Sequence, residues 1–329
     1  MIYFVRRFAV FLLTLWAAIT LNFIIPRLQP GDPAERIVRR LNPNSRTVDP
    51  NQVEAVRKML GLPDTNIFEQ YLQYLQTLVR GEFGVSYSYF PFTVTHMIGQ
   101  TLPWTLVLGA VTLFIGFVVG TLLGAWAAWR RNGPFDSVTT LGATFLGTLP
   151  SFWIALLLLY VCAFKWGWFP VGGGYSGDAQ PGWNWAFISS AFEHSVLPAV
   201  SILLFAPIGW ILGMRNNMVT ILGDDYTRLA KAKGLSERRI ALWYGARVAV
   251  LPNVAGLALA VGGILGGSVV IEQIFSYPGM GRLLFEARRD GDYPLMQTVF
   301  LFIIVGVLLA DLVADFLYGV LDPRVRRGG

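Results

Sequence analysis

"LPWTLVLGAVTLFIGFVVGTLLGAWAAWRR", residues 102–131, carries no charge before the paired arginines that end it. A spanning helix needs about 20 predominantly apolar residues, so 102–129 is long enough to cross a bilayer. Arg130 and Arg131 supply the cationic flank that orients such a helix. Five more segments meet the same length: 8–28, 137–165, 196–220, 252–275 and 295–320. Of 329 residues, 54% are hydrophobic and only 14% charged, a balance outside that of soluble domains, and the mean hydropathy is +0.53. The expectation is an all-α integral membrane protein with six transmembrane helices.

The net charge of +6 raises the question of nucleic acid. The Lys and Arg residues, however, gather at the ends of the apolar runs, where they orient helices in lipid; the expected partner is membrane lipid, with no nucleic acid. Arg6 and Arg7 precede the first span, Arg130 and Arg131 follow the second, seven basic residues from Arg215 to Arg247 lie between the fourth and fifth, and Arg324, Arg326 and Arg327 end the chain. The positive-inside rule makes these four regions, and both termini, cytoplasmic. "RRFAVFLL" could open an export signal, but the apolar run continues to "LNFIIP" without a small-residue cleavage site, which predicts an uncleaved anchor. The organisation read from this is 1–28, cytoplasmic N-terminus and first span; 29–98, an extracytoplasmic segment; 99–320, a five-helix core holding a cytoplasmic loop at 221–250; and 321–329, a cytoplasmic tail.

Within 29–98, "DPNQVEAVRKMLGLP" offers Asp49 as a helix cap, Pro50 at the first helical position and Gly61 as a stop. In "FEQYLQYLQTLVRGEFG", Leu72, Leu75, Leu78 and Val79 recur at helical spacing before Gly81. These two helices either pack on their own mouth of the protein or receive a partner. The segment 166–195 is dense in Gly and Trp; Trp166, Trp168, Trp183 and Trp185 suit an interfacial aromatic belt or a stacking surface for a ligand. Pro150 and Pro207 break the third and fourth spans, and Gly262 with Gly266, and Gly263 with Gly267, are spaced for close approach of another helix. Lone Cys162 falls in an apolar run and reads as packing. His96 and His194 are isolated and make no metal site. With no phosphate-binding G-x-x-x-x-G-K-[ST] loop and no hydrolase or zinc-protease constellation, the chain is expected to do no covalent chemistry and to bind no cofactor itself.

The most informative polar stretch is "DDYTRLAKAKGLSERRIALWYGARVAVLP", 224–252. Asp224 suits a helix cap, Asp225 its first turn, Arg228, Lys231 and Lys233 its later turns and Gly234 its stop, with Tyr226, Leu229 and Ala230 as an apolar stripe. Ser236 suits the cap of a second helix. Topogenic charge alone needs no paired caps and stripes. The residues fit a protein-docking helix and an interfacial amphipathic helix equally.

This stretch, with "PGDPAER" (30–36), "GEFGVSYS" (81–88), "TLPSFWIALLLL" (148–159), "VVIEQIFSYPGMGRLL" (269–284), "DYPLMQ" (292–297) and "DFLYGVLDPRVR" (315–326), resembles the permease subunits of ABC importers in the oligopeptide, dipeptide and nickel branch. The resemblance implies a type I ABC importer permease fold with a small extracytoplasmic helical segment after the first span. It also implies one half of a translocation pore, completed by a second homologous permease subunit, two ABC ATPase subunits that hold ATP and Mg, and an extracytoplasmic substrate-binding protein. By the same resemblance, Asp225, Tyr226, Arg228, Leu229, Ala230, Lys233, Gly234 and Leu235 belong to the loop that couples permease to ATPase. Arg228 and Leu229 stand where the motif has Glu and Ala, as in the peptide branch. Substrates of the branch are peptides, nickel chelates or oligosaccharides, and "GWNWAFI" with "GWILGMRNNM" is more similar to the sugar carriers.

An ion-coupled secondary transporter is the alternative, supported by Asp311 and Asp315, four residues apart in the last span. The competing expectation is that Asp315 pairs with Arg215 or Arg247 near the cytoplasmic face.

Overall fold

The computed structural model describes residues 2–28, 34–35, 38–39, 49–59 and 66–321. Among these the secondary structure is helical, with one isolated bridge from Val85 to Thr93. Five helices are long and apolar enough to cross a membrane: Arg6–Ile25, Val94–Trp129, Trp185–Leu222, Glu237–Gly262 and Tyr293–Val313. Pro134–Thr148 and Ser151–Lys165, bent by 93° at their junction, make a sixth if counted as one span. The bend falls at Leu149–Pro150, where the residue before proline is extended (φ −86°, ψ 137°), as the proline ring demands. Pro207 begins the helix Ala206–Leu222 just after a break at Leu204–Phe205.

The fourth and fifth spans differ most from expectation, and the second opens at Val94 rather than at residue 102. The fourth span begins at Trp185, where the Asn184 side chain accepts the Phe187 N–H at 2.8 Å as an N-cap. The fifth runs from Glu237 to Gly262 rather than 252–275, continuous through a π-helical stretch, Ile240–Ala246, and past Pro252. The second helix expected in 224–252 and the fifth span are therefore one element. The cluster Gly262, Gly263, Gly266 and Gly267 explains the early end, since glycine weakens a helix interior; beyond Gly263 the chain forms only two short helices, Ile264–Gly267 and Val269–Ile274.

The chain divides into two units, 1–104 with 279–308, and 105–278 with 309–329. In the first, Val94, Ile98, Met280, Leu283, Ala287, Leu295, Met296 and Val299 form the buried core. The helix Pro50–Met59 opens as expected, with the Asp49 carboxylate accepting the Asn51 N–H at 2.9 Å; the proposed stop, Gly61, lies outside the described residues. The helix Ile67–Arg80 ends at Gly81 in the left-handed conformation, φ +70°. Its inner face is Tyr71 and Tyr74, whose rings lie 5.2 and 5.4 Å from that of Phe23, while Leu72 and Val79 are exposed. Buried Asn22 fixes the contact, donating to the Gln297 carbonyl at 2.7 Å and to the Tyr74 hydroxyl at 3.2 Å.

In the second unit, Gly116, Gly120 and Gly124 line one face of the helix Val94–Trp129 and receive the helix Ala206–Leu222. A Cβ at Gly120 would stand 2.6 Å from the Trp210 Cβ, and one at Gly124 only 2.4 Å from the Ile211 carbonyl oxygen. Small residues four apart permit this approach. The glycines that spacing singles out in the fifth span, 262–267, are a different set.

Candidate functional site

The feet of three helical runs meet in a cluster of Ala128, Met214, Met218, Ala241 and Ala249, and the polar helix Asp225–Ala232 is rooted beside it. Asp224 holds the N-cap position, but its side chain makes no capping bond. Thr227 anchors the turn instead: its buried hydroxyl donates to the carbonyls of Leu222 at 2.9 Å and Asp224 at 2.7 Å. The Tyr226 ring stacks 6.5 Å from that of Tyr244, and its hydroxyl donates to the Tyr244 carbonyl at 3.3 Å. Burial, then the charge of Asp224, raises the Tyr226 phenol above its ordinary pKa.

The helix stops as its sequence dictates. Gly234 N–H reaches the Lys231 carbonyl at 2.9 Å and Leu235 N–H the Ala230 carbonyl at 3.2 Å, with Gly234 at φ +77°. A side chain there would strain the backbone.

This geometry corrects the expected apolar stripe. Ala230 is 4% exposed and packs within the chain, whereas Leu229 is 57% exposed. Because Thr227 turns inward to its carbonyls, the helix buries Thr227 and Ala230. Asp225, Tyr226, Arg228, Leu229, Lys231 and Lys233 face out, and Leu235 is half-buried. Arg228 lies 3.6 Å from Asp225 and Lys231 3.3 Å from Glu237, exposed pairs of small energetic weight. The outward surface thus sets two large side chains, Leu229 and Tyr226, among charges.

Arg215 is held by Asp136. Its Nε and Nη2 donate to the two oxygens of Asp136, both at 2.9 Å. Asp136 is buried, and it also accepts the Asn132 N–H at 3.1 Å and the Thr140 hydroxyl at 3.2 Å. A bidentate carboxylate is the natural partner of a guanidinium fork. Arg247 is exposed, and the Asp315 side chain lies outside the described residues. Sequence reading passed over Asp136; its position two residues into a helix opening "GPFD" after the paired arginines was the available signal.

Where the connection after the third span meets the first turns of the fourth, the Ser176 N–H donates to the Ser190 hydroxyl at 2.8 Å, and His194 Nδ1 lies 2.8 Å from the Ser190 carbonyl. Trp166 and Trp168 pair at 4.3 Å, and both, with Trp183 and Trp185, are exposed. Among the described residues no group of three or more His, Cys, Asp or Glu could hold a metal ion.

Comparison with known proteins bears on this arrangement. Residues 120–327 match the family described as "Binding-protein-dependent transport system inner membrane component". The chain is 33% identical to the oligopeptide transport system permease protein AppB of Bacillus subtilis (strain 168), over 98% of each chain. It is 32% identical to the dipeptide transport system permease protein DppB of Lactococcus lactis subsp. cremoris (strain MG1363), over 98% of this chain and 99% of the relative. It is 31% identical to the glutathione transport system permease protein GsiC of Escherichia coli O1:K1 / APEC, over 98% of each. These matches favour the ATP-driven importer over the ion-coupled alternative. The family match takes in both Asp136 with Arg215 and the whole turn from Asp225 to Leu235, and the chain belongs to the family of binding-protein-dependent transport system inner membrane components, as a multi-pass permease subunit.

Proposed function

We propose that this permease forms half of a pore for short peptides, paired with a second homologous permease. Two ABC ATPase subunits carrying ATP and Mg sit against its Asp225–Leu235 turn, and a substrate-binding protein delivers ligand on the opposite side. Both termini are cytoplasmic, in keeping with the arginines that flank the spans. Peptides are preferred because the relatives above are named for oligopeptide, dipeptide and glutathione transport; this replaces the lean toward sugars drawn from "GWNWAFI".

The observation that carries the coupling role is the rooted helix Asp225–Ala232. It is pinned by Thr227, Tyr226 and the Gly234 stop, yet presents Leu229 outward among charges. An interfacial lipid helix needs a broad apolar face; Leu229 and Tyr226 interspersed with Asp225, Arg228, Lys231 and Lys233 fit a protein groove better. Extracytoplasmic docking falls to the segment from Asp49 to Gly84. The test is a single cysteine replacing Leu229 in the assembled complex. Crosslinking to the ATPase supports the reading, and labelling only by lipid-borne probes would overturn it.

A further inference from the structure

The segments "GEFGVSYS" and "DYPLMQ", 206 residues apart at Ser86 and Asp292, meet in one buried clasp. The Asp292 side chain is fully buried. One oxygen, Oδ2, accepts the Ser86 hydroxyl and, at 2.9 Å, the Ser88 N–H; the Tyr87 N–H also bonds to this carboxylate. The other oxygen, Oδ1, accepts the Leu295 N–H at 3.2 Å, and the Asp292 carbonyl accepts the Met296 N–H at 2.9 Å. Asp292 is therefore the N-cap of the helix Tyr293–Leu321 and, with its second oxygen, the holder of the loop between Val85 and Thr93. The loop is tied twice more: Ser86 N–H to the Phe92 carbonyl at 3.0 Å, and the Tyr89 hydroxyl to Glu286, itself gripped by Arg282 at 2.8 Å.

What the clasp presents is a tip, "YFPF", with Phe90 and Phe92 51% and 52% exposed. The loop leads directly into the 36-residue helix Val94–Trp129. At about 1.5 Å per residue that helix is ~54 Å long against ~30 Å of hydrocarbon. With Arg130 and Arg131 at its other end, this excess length fits a Val94 end, and with it Phe90 and Phe92, outside the hydrocarbon.

We propose that Asp292 is a positioning residue for delivery: it makes the loop Val85–Thr93 and the head of the last span move as one piece, so that a binding protein pressing on Phe90 and Phe92 acts on that span. The proposal rests on the reading that this end of the protein faces the binding protein. A carboxylate shared between loop and helix cap is suited to the task, because charge-assisted hydrogen bonds are stronger than neutral ones.

The experiment uses the full complex in nanodiscs, compared at equal assembled amounts. Asp292→Asn keeps a competent N-cap but turns an amide toward the loop's N–H donors, and Ser86→Ala removes one loop-side donor without touching the cap. In both, ATP hydrolysis without binding protein should be unchanged. The concentration of loaded binding protein giving half-maximal stimulation should rise about fivefold or more, the low end of ordinary coupling between sites. Phe90→Ala with Phe92→Ala should do the same while leaving the clasp intact. If the tip variant shifts half-stimulation and both clasp variants do not, positioning by Asp292 is wrong and the docking reading stands. If none of the three shifts it, both are wrong. Loss of assembly alone, with normal stimulation of what assembles, would also overturn the proposal and leave Asp292 a structural cap.

Discussion

Asp136 and Arg215 join the start of the third span to the fourth through two parallel hydrogen bonds of 2.9 Å, at a carboxylate only 5% exposed. Arg215 lies seven residues before Leu222, whose carbonyl anchors Thr227. The pair thus braces the helix from which the Asp225–Ala232 turn projects.

Removing one member of a buried ion pair leaves the other charge uncompensated, at about 3–5 kcal/mol in soluble cores. Asp136→Ala should accordingly lower the thermal midpoint of the purified complex well below that of Arg215→Met, which leaves Asp136 its Asn132 and Thr140 donors. The double substitution should recover part of the loss. Strict additivity of the two single effects in a double-mutant cycle would show that the pair contributes no coupling.

Packing of the fourth span into the glycine face gives an independent expectation. Gly120→Ala puts a methyl 2.6 Å from the Trp210 Cβ and 2.7 Å from the Pro207 carbonyl oxygen, neither of which is the free end of a flexible side chain. The helices must separate, at about 1–3 kcal/mol for overpacking. Gly142→Ala, with nothing within 4 Å, is the control. Equal heat tolerance of the two variants would mean that the close approach is not a constraint.

How far this was legible in sequence differs by feature. Spans announce themselves because lipid demands an unbroken apolar length. Gly81 and Gly234 could be read as stops, since each sits where an L side chain would resist a positive φ. The glycine face was visible as "GFVVGTLLG", but spacing identifies a surface that tolerates approach, not the helix that comes, and "GLALAVGGILGG" had an equal claim. The stripe of Tyr226, Leu229 and Ala230 was misread because side-chain polarity alone does not show that Thr227 finds two backbone carbonyls and so belongs inside. Contacts between segments remote in the chain, such as Asp136 with Arg215 or Ser86 with Asp292, leave no periodic trace.

Asn22 offers a test of the first unit. Its amide donates to the Gln297 carbonyl and the Tyr74 hydroxyl and is buried. Asn22→Ala removes both of these hydrogen bonds, each worth about 0.5–1.5 kcal/mol. The helix Ile67–Arg80 should then exchange its amide hydrogens faster, with little change in Val94–Trp129. Unchanged protection of 67–80 would show that the rings of Phe23, Tyr71 and Tyr74 suffice to hold it.

The outward and inward faces of the Asp225–Ala232 helix should fail in different ways. Leu229→Glu replaces the exposed leucine without disturbing Thr227, Tyr226 or Gly234, so the permease should insert, pair and keep its thermal midpoint. What it should lose is ATPase attachment, because a carboxylate forced into an apolar groove must be desolvated without a partner. Ala230→Glu puts the same carboxylate into the chain's own packing and should lower stability even without ATPase subunits. Gly234→Val forces a β-branched residue into φ +77°, a strain of about 1–3 kcal/mol, and should loosen the turn while leaving Leu229 in place. Measuring ATPase retention on an immobilised permease pair beside the permease's own melting separates the three. If Leu229→Glu melted early and still retained its ATPases, the assignment of inner and outer faces would be reversed; if it melted normally and retained them, the turn would not be the contact that couples hydrolysis to the pore.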